Sequence, residues 1–522
     1  MNRLSRRGFL GAASVATATV GLGALTARRL GSRPDGPTGA VLTSRLPLPQ
    51  PFQVPLPLPR TAVPVRIANG ADEYRVVQRA AEVEILPGTR TTVWGYDGTF
   101  PGPTFTARAG RTAKLTVVNT LPVPTSTHLH GGVTPPGSDG YPTDLLRPVH
   151  GGPKGPGAMP GMAGEAGGMS VLGERTYTYP MNQQAATLWY HDHRMDFTGP
   201  QIWRGLAGFF LVQDDIEGAV QLPRGDRDIP LMLCDRSFEA DGSFRYPSLD
   251  STLSRTPGVE PGYTDGVLGD VQLVNGAPWP IVEVTAATYR LRVLNASNAR
   301  RYRLALRTSD DRGLPLVQVA SDLGLLARPQ ALESITVTPA ERFEFVVDFS
   351  HLAPGAEVTM VNTLASGAMG QVLRFRVTRR AKDFVPIPTR LVQLERLQPN
   401  EVATTRRFDF RMNADGMWTI NGRPFTPSES WATPKLGTVE RWRLTSDFHH
   451  PVHVHLARLQ VLSRDGRPPQ PADAGWKDTV DVRPWEVVEV LARFDGYRGR
   501  YMLHCHNLEH EDMAMMANFQ VI

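Results

Sequence analysis

The stretch at residues 113–120, AKLTVVNT, alternates apolar with polar residues and ends in a turn-forming Asn-Thr pair. Two later stretches repeat the pattern, YRLRVLNAS at 289–297 and VERWRLTSD at 439–447. Alternation with a period of two is typical of β-strands that bury one face. The stretches recur at intervals of roughly 150 to 175 residues, which is the size of one domain. They therefore predict three copies of one β-sandwich unit.

The composition agrees with an all-β fold. Glycine (49) and proline (45) are frequent among the 522 residues, and long stretches with a period of 3.6 are scarce. We therefore predict an all-β protein of three Greek-key β-sandwich domains, at 41–215, 216–387 and 388–522. The boundaries follow from FFLVQDD, which closes the first unit, and DFVPIPTR, which opens the third. The proline-rich segment LPLPQPFQVPLPLPR before the first unit is predicted to be an extended strap.

Residues 1–40 are predicted to be an export leader and linker rather than part of the fold. The sequence LSRRGFLGAASVATATVGLGAL places Arg6 and Arg7 before a short apolar run of small residues, which is typical of a twin-arginine leader. We therefore expect a periplasmic, cell-surface or extracellular protein. No later apolar run approaches the roughly 18 to 20 residues of a membrane span, so we expect no transmembrane segment.

Charge and cysteine usage exclude two further classes. Cleavage after Ala27 would remove Arg3, Arg6 and Arg7 and lower the formal net charge from +5 to +2. No basic run is interleaved with aromatic residues, so nucleic-acid binding is not expected. The two cysteines stand apart and predict no disulfide, with Cys234 a small buried residue in the apolar run IPLMLCDRSF.

Ten of the 13 histidines fall in four short clusters, whereas His150, His351 and His449 are interpreted as ordinary polar residues. The clusters are HLHGG (His128, His130), WYHDH (His191, His193), HPVHVH (His450, His453, His455) and HCHNLEH (His504, His506, His510). Side chains at i and i+2 of a strand share a face, so each His-x-His pair delivers two imidazoles to one side. Four such pairs would suit about three metal ions, with a position open for a small molecule.

Strand parity separates a second site from this cluster. If His504 and His506 face the cluster, Cys505 between them points to the other side of the strand. His450 lies three residues before His453 and therefore also has the opposite parity. Cys505 and His450 are thus predicted to meet on the far side of the sheet.

His510 and Met515 follow Cys505 by five and ten residues and complete this second site. One thiolate, two imidazoles and a thioether are typical of a blue-copper electron-transfer centre. Zinc would need a closed set of four ligands, or three ligands and water, and explains neither the thioether nor the paired histidines. Because one strand supplies both sites, electrons could pass between them through a few covalent bonds, which predicts redox turnover.

All four histidine motifs, in order and with intact spacing, resemble those of the multicopper oxidases. The sequences HLHGGVTPPGSDGYP, WYHDH, GWKDTV and HCHNLEHEDMAMM are especially similar to bacterial spore-coat laccases and bilirubin oxidases. The likeness extends to LVNGAPWP and YRLRVLNASNARRY in the middle unit, which contributes no ligand motif. The resemblance implies cupredoxin domains and four copper ions: one type 1, one type 2 and a type 3 pair.

The resemblance also implies a role for each ligand. The type 1 ligands would be His450, Cys505, His510 and Met515. The type 2 ligands would be His128 and His453, and the type 3 ligands would be His130, His191, His193, His455, His504 and His506. It further implies that Glu511 and Asp139 lie near the cluster as proton relays or orienting groups, rather than as ordinary solvated acids.

The implied activity is that of a laccase. Phenols, aromatic amines or similar reducing organic molecules would lose single electrons at the type 1 copper, and dioxygen would be reduced to water at the trinuclear cluster. A metallo-oxidase of Cu(I) or other low-valent metal ions is the alternative, together with a bilirubin oxidase. Phe448 argues against the latter, since bilirubin oxidases often carry tryptophan at this position. We expect a monomer.

Other open alternatives concern methionines and non-enzymatic relatives. Met159, Met162 and Met169, in the loop at 155–169, could bind Cu(I), although such composition more often marks a mobile loop. Met513 and Met516 flank the axial candidate Met515, and spacing favours Met515. A copper carrier or a copper-free scaffold on the same fold is disfavoured, because every ligand motif is complete.

Overall fold

The structure is a computed structural model that describes residues 35–150, 168–381 and 385–522. Nearly all of the predicted leader, and residues 155–167 of the methionine-containing loop, lie outside the described residues. The sheets form three successive pairs, at 66–213, 228–380 and 402–521. The all-β prediction is confirmed. The predicted boundaries near 215 and 388 fall in connections between these pairs and stay a prediction.

The first pair of sheets supplies two of the histidine motifs. The elements up to residue 219 are β1 (Ala40–Val41), β2 (Arg66–Ala68), β3 (Ala71–Val83), β4 (Thr91–Tyr96), β5 (Gly102–Arg108), β6 (Thr112–Asn119), β7 (Thr127–His130), β8 (Leu145–Arg147), β9 (Ser170–Leu172), β10 (Glu174–Tyr179), β11 (Ala186–Asp192), helix α1 (Thr198–Trp203), β12 (Ala207–Gln213) and helix α2 (Asp215–Ala219). One sheet has the order β10-β6-β3-β2, with β4 on β3, and the other has β5-β12-β11-β7. His128 and His130 lie on β7, His191 lies on β11, and His193 directly follows β11.

The middle pair of sheets contains none of the four histidine clusters. Its strands are β13 (Asp228–Phe238), β14 (Phe244–Arg245), β15 (Val267–Leu268), β16 (Val271–Val274), β17 (Ala277–Pro278), β18 (Ile281–Ala286), β19 (Thr288–Asn295), β20 (Tyr302–Thr308), β21 (Gly313–Leu314), β22 (Leu316–Ser321), β23 (Gly324–Leu332), β24 (Ile335–Val337), β25 (Arg342–Asp348), β26 (Glu357–Asn362) and β27 (Gln371–Arg380). The sheets run β17-β16-β13-β19-β25-β22-β23, with β14 on β13, and β18-β27-β26-β20-β21, with β24 on β20.

The third pair carries the remaining two motifs. Its elements are β28 (Val402–Met412), β29 (Trp418–Ile420), β30 (Ser430–Ala432), β31 (Thr438–Ser446), β32 (His450–Val454), β33 (Arg458–Arg464), β34 (Thr479–Val482), β35 (Val487–Phe494), β36 (Gly499–Cys505), helix α3 (Leu508–Asp512) and β37 (Met516–Val521). One sheet has the order β29-β28-β31-β35-β33, and the other has β30-β37-β36-β32-β34.

The three predicted repeat strands occupy equivalent places. They form β6, β19 and β31, and each pairs in parallel with an earlier strand of its own unit, namely β3, β13 and β28. On its other side each pairs antiparallel with a later strand, β10, β25 or β35. Each strand also contributes to an apolar core of its own unit. The internal repeat read from the sequence is therefore visible in the sheet topology.

The proline-rich segment crosses two units. Its backbone bonds first to the middle unit, where Leu56 N–H donates to the Ile281 carbonyl at 2.8 Å, and then to the first unit, where Thr104 N–H donates to the Arg60 carbonyl at 2.8 Å.

The short helices of the described residues fall below the length and apolar character that a bilayer-crossing helix requires.

Candidate metal centres

Two strand pairs bring the histidine motifs together. In the first unit β7 and β11 are antiparallel, with His128 opposite His191. In the third unit β32 and β36 are antiparallel, with His453 opposite His504 and Val452 opposite Cys505. Opposite residues in an antiparallel pair point to the same face, so the alternation stacks imidazoles on one face and apolar residues on the other.

The imidazoles of the first unit contact those of the third unit where the two units face each other. The Nε2 atom of His504 lies 3.3 Å from Nε2 of His193 and 3.2 Å from Nε2 of His455. Two ligand nitrogens bound tetrahedrally to one ion at about 2.0–2.1 Å are roughly 3.3 Å apart. The rings of His128 and His455 stack at 3.9 Å, and those of His130 and His453 at 3.6 Å. His191 and His506 join the same cluster.

Hydrogen bonds on the outer side orient most of these rings. The Nδ1 of His128 donates to the Asp139 carbonyl at 2.5 Å, that of His191 to the Asp192 carbonyl at 2.8 Å, and that of His453 to the Asp478 carbonyl at 2.9 Å. The Nε2 atoms of these three rings are buried without a protein partner among the described residues. A neutral imidazole that donates from one nitrogen presents the lone pair of the other, which is the arrangement a metal ligand requires.

His130 is turned the other way. Its Nε2 lies 3.0 Å from Asp478 Oδ1 and 3.1 Å from Thr479 Oγ1, while its Nδ1 is buried without a partner in the described chain. Because a carboxylate only accepts, Nε2 carries the proton and Nδ1 presents the lone pair. The cluster thus contains rings that present Nε2 as the free donor atom and one ring, that of His130, that presents Nδ1.

The two predicted acids both contact the cluster. Asp139 Oδ2 accepts a hydrogen bond from His455 Nδ1 at 2.7 Å. Glu511 lies 3.4 Å from His193 Nδ1 and 3.1 Å from His504 Nδ1. Burial raises the pKa of Asp139. Burial also acts to raise the pKa of Glu511, but His193 and His504 outweigh it and hold this pKa below its usual range.

The second site forms on the opposite face of β36. Cys505 Sγ lies 3.3 Å from His450 Nδ1 and 3.6 Å from His510 Nδ1, and these two nitrogens are 3.1 Å apart. All three side chains are buried. Burial raises the pKa of the Cys505 thiol, so a bound cation would be needed to hold the thiolate. The Asn507 N–H donates to the sulfur at 3.3 Å.

The three methionines near this site differ in the apolar core that each one joins. Met515 belongs to the same apolar core as Cys505, and its backbone bonds to both ends of the site, with Cys505 N–H donating to its carbonyl and its own N–H donating to the His510 carbonyl. Met513 packs against that core only in part, and Met516 belongs to a different cluster with Tyr141. The packing favours Met515 as the axial ligand, which agrees with the spacing.

Two contacts of His510 were missed from the sequence. The indole of Trp418 stacks on the His510 ring at 4.0 Å and donates its N–H to the Thr264 carbonyl at 2.9 Å. The Nε2 of His510 donates to the Asp265 carbonyl at 3.1 Å. Thr264 and Asp265 belong to the middle unit, and a single sequence carries no signal that they meet His510.

The protonation of the histidines suits a cation. Burial lowers the pKa of His193 to about 4. Burial also lowers the pKa well below the usual value for His128, His130, His191, His455, His506 and His510. Neutral imidazoles are the form that binds metals. Soft sulfur beside imidazole in one site, and imidazole alone in the other, are donor sets that copper accepts.

The remaining residues singled out from the sequence lie elsewhere. His150 and His351 are exposed, and His449 is buried beside Arg301. Cys234 is a buried free thiol whose pKa burial raises to about 11, as expected for a core residue. Met169 is exposed at the edge of the described chain.

Comparison with known proteins decides the family. Residues 396–522, and residues 78–153 with 149–217, match the multicopper oxidase family. A laccase of Bacillus stratosphericus is 33% identical over 90% of this chain and 98% of its own length. The chain belongs to the multicopper oxidase family. A bilirubin oxidase of Albifimbria verrucaria is 34% identical over 90% of this multicopper oxidase and 81% of its own length.

Solved structures agree with the fold. The crystal structure of a laccase from Pediococcus acidilactici has a TM-score of 0.78 and 30% identity, and covers 92% of this chain and 96% of its own. Family membership makes the protein a copper oxidoreductase that takes dioxygen and reducing substrates, with four copper ions of types 1, 2 and 3. The buried histidine nitrogens that lack a hydrogen-bond partner among the described residues fit such ions.

Proposed function

We propose that this multicopper oxidase is a laccase-like enzyme, which oxidises phenols, aromatic amines or similar reducing organic molecules and reduces dioxygen to water. One observation carries the proposal: the end of β36 directs Cys505 into one buried donor site and its neighbours His504 and His506 into the other. When bound, copper would supply one-electron oxidation at the first site and four-electron reduction of dioxygen at the second.

The ligand roles expected from the resemblance fit the contacts between side chains. His450, Cys505, His510 and Met515 would hold the type 1 copper. His128 and His453 would hold the type 2 copper. The other six histidines would hold the type 3 pair. His193, His455 and His504 converge on one position and would hold one ion. His130, His191 and His506 have neighbouring rings and would hold the other.

The surroundings of His510 are aromatic and apolar. Trp418 stacks on the His510 ring, and Phe448 lies 5.9 Å from it. The outer nitrogen of His510 meets the backbone carbonyl of Asp265. Both rings are buried, so they make the type 1 site apolar rather than form a surface that a substrate contacts. The proposed preference for aromatic substrates over metal ions therefore rests on similarity to the laccases of Bacillus stratosphericus and Pediococcus acidilactici.

Glu511 and Asp139 would serve the oxygen reaction by exchanging protons with the cluster. Each carboxylate is buried and contacts the outer nitrogen of cluster histidines. Reduction of one dioxygen to two waters consumes four protons, which a buried acid within hydrogen-bonding reach of the site would relay. Both groups also fix the ring orientation of the histidines that they contact.

Oxygen uptake by the copper-loaded full chain tests the proposal. We expect uptake with a phenol and an aromatic amine, four substrate electrons consumed per dioxygen, and no accumulation of peroxide. Uptake with Cu(I) but with neither aromatic substrate would instead assign a metallo-oxidase, and fast turnover restricted to bilirubin would assign a bilirubin oxidase. The variant Cys505→Ser is the control, because it should lose blue absorption and substrate-driven uptake while the cluster histidines remain.

A further inference from the structure

A buried ion pair of the middle unit reaches the histidine cluster. Arg342, in β25, donates to both carboxylate oxygens of Asp478, Nη1 to Oδ1 at 2.8 Å and Nη2 to Oδ2 at 2.6 Å. Asp478 belongs to the third unit and immediately precedes β34. Its Oδ1 also accepts from Nε2 of His130, which lies in the first unit. Three residues thus connect all three units at the cluster.

Every N–H group of the Arg342 guanidinium is used. Two bond to Asp478, and the other three donate to the carbonyls of Thr187 at 3.0 Å, Ala340 at 3.2 Å and Asp322 at 2.9 Å. The side chain is fully buried. Guanidinium offers five donors in a fixed planar fork, which an ammonium group cannot reproduce. The position of the Asp478 carboxylate is therefore set by a rigid group.

Asp478 is fixed from its backbone as well. The Asp478 and Thr479 N–H groups donate to Asp322 Oδ2, each at 3.2 Å. The Asp478 carbonyl accepts from His453 Nδ1, and the Thr479 hydroxyl donates to Asp478 Oδ1 at 2.8 Å. The two residues Asp478 and Thr479 therefore orient the rings of both His130 and His453.

The glycine after His130 leaves room for this ion pair. Gly131 has φ of +85°, and a Cβ atom there would lie 2.6 Å from Arg342 Nη2 and 2.8 Å from Asp478 Oδ2. Any side chain would collide with the two charged groups. The first glycine of HLHGG is thus required for the close approach of the ion pair to the histidine strand.

We propose that Arg342 and Asp478 are positioning residues for the trinuclear cluster. The carboxylate keeps the proton of His130 on Nε2 and directs the Nδ1 lone pair to the metal, and Arg342 holds that carboxylate in place. The middle unit thereby controls copper binding at a site to which it gives no ligand. This inference rests on the proposed role of His130 as a copper ligand.

The variant Arg342→Lys tests it, with Arg292→Lys as the matched control. Arg292 is also a buried arginine of the middle unit, paired with Asp228 and Glu344 and bonded to Thr187 of the first unit. The copper-loaded full chain would be titrated with a competing chelator. Blue absorption reports the type 1 copper, near-ultraviolet absorption the type 3 pair, and electron paramagnetic resonance the type 2 copper.

We expect Arg342→Lys to keep its blue absorption while the affinity of the cluster for copper falls by about 10- to 100-fold. Arg292→Lys should match wild type in all three signals. Wild-type cluster affinity and spectra in Arg342→Lys would overturn the proposal. Equal loss of type 1 and cluster copper in both variants would also overturn it, because that result reports general loss of the fold.

A double variant covers the case in which Arg342→Lys does not fold. Arg342→Met combined with Asp478→Leu removes both charges and the oxygen that accepts from His130, so no uncompensated charge stays buried. It should show the same selective loss of cluster copper, and retention of cluster copper would overturn the proposal. Both comparisons measure copper content and spectra rather than turnover. Failure of wild type to consume oxygen would therefore contradict the proposed function and leave this inference separately tested.

Discussion

At the scale of single residues, substitution of Glu511 tests how protons reach the cluster. It faces His193 and His504 from helix α3, and its lowered pKa keeps it a carboxylate. Glu511→Gln preserves shape but removes the group that takes up and releases protons, so oxygen reduction should slow by about 100-fold. Anaerobic bleaching of the blue absorption by substrate should keep its wild-type rate.

Glu509→Gln is the matched control for this change. Glu509 lies on the same short helix but bonds to Tyr246, Asn298 and Val267 of the middle unit rather than to histidine. Its variant should reduce oxygen at close to the wild-type rate. Full copper occupancy with unchanged oxygen reduction across pH in Glu511→Gln would show that this carboxylate is no relay.

Trp418 is the single residue that we expect to control how far water reaches the type 1 site. It is fully buried and shields the His510 ring. Trp418→Ala should destabilise the third unit by about 3–5 kcal/mol and admit water beside His510. Water favours the more highly charged copper state, so the type 1 reduction potential should fall. Redox titration of the blue absorption measures it, with Trp418→Phe as the control that keeps a stacked ring.

At the scale of elements, the turn between helix α3 and β37 decides which methionine tunes the type 1 site. Met515→Leu conserves volume, so it should cost less than about 1.5 kcal/mol and leave the protein blue. Loss of a weak sulfur donor destabilises the oxidised copper, so the reduction potential should rise. Met516→Leu, on the other face of β37, should leave the potential unchanged. A shift in the second variant alone would show that the ligand register is wrong.

Strand alternation explains why so much of the site was predictable. On β36, residues 501, 503 and 505 enter the core of the third unit, and His504 faces the cluster. The repeat strands were predictable for a second reason, because Asn119 and Asn295 each end a strand, and the side-chain amide of each donates to two backbone carbonyls. Both properties are local, so one sequence contains them.

At the scale of the whole molecule, contacts between units were not predictable. Arg342 and Asp478 are 136 residues apart in the chain, and Asp478 and His130 are 348 apart. Asp478 lies in GWKDTV, one of the motifs that resemble the family, but the sequence alone assigns it no role. Nothing in the sequence indicates that Arg342, Trp418 or Asp265 contacts a metal ligand or its partner. Tertiary packing brings these groups together, and neither spacing nor periodicity encodes such contacts.

A buried glutamate at the boundary between the first and middle units should make the stability of the fold depend on pH. Glu344 is buried and bonds to Arg290 and Arg292 of its own unit and to Thr187 of the first. Burial alone would raise its pKa, but the two arginines lower it from 4.5 to about 2. A depressed pKa stabilises the fold above pH 4.5, and this contribution disappears as the pH falls towards 2.

Glu344→Gln should therefore lower the free energy of unfolding at pH 7 by about 3 kcal/mol, since each pKa unit corresponds to about 1.4 kcal/mol. The difference from wild type should shrink steadily between pH 4.5 and 2, because protonation removes the same charge from the wild-type residue. Denaturant unfolding at several pH values measures it. Glu357→Gln is the control, because Glu357 pairs with Arg374 and Arg376 at the partly exposed surface, and its loss should change stability by at most about 1 kcal/mol. A difference for Glu344→Gln that is independent of pH would mean that loss of shape or packing, and not loss of the buried charge, destabilises the variant.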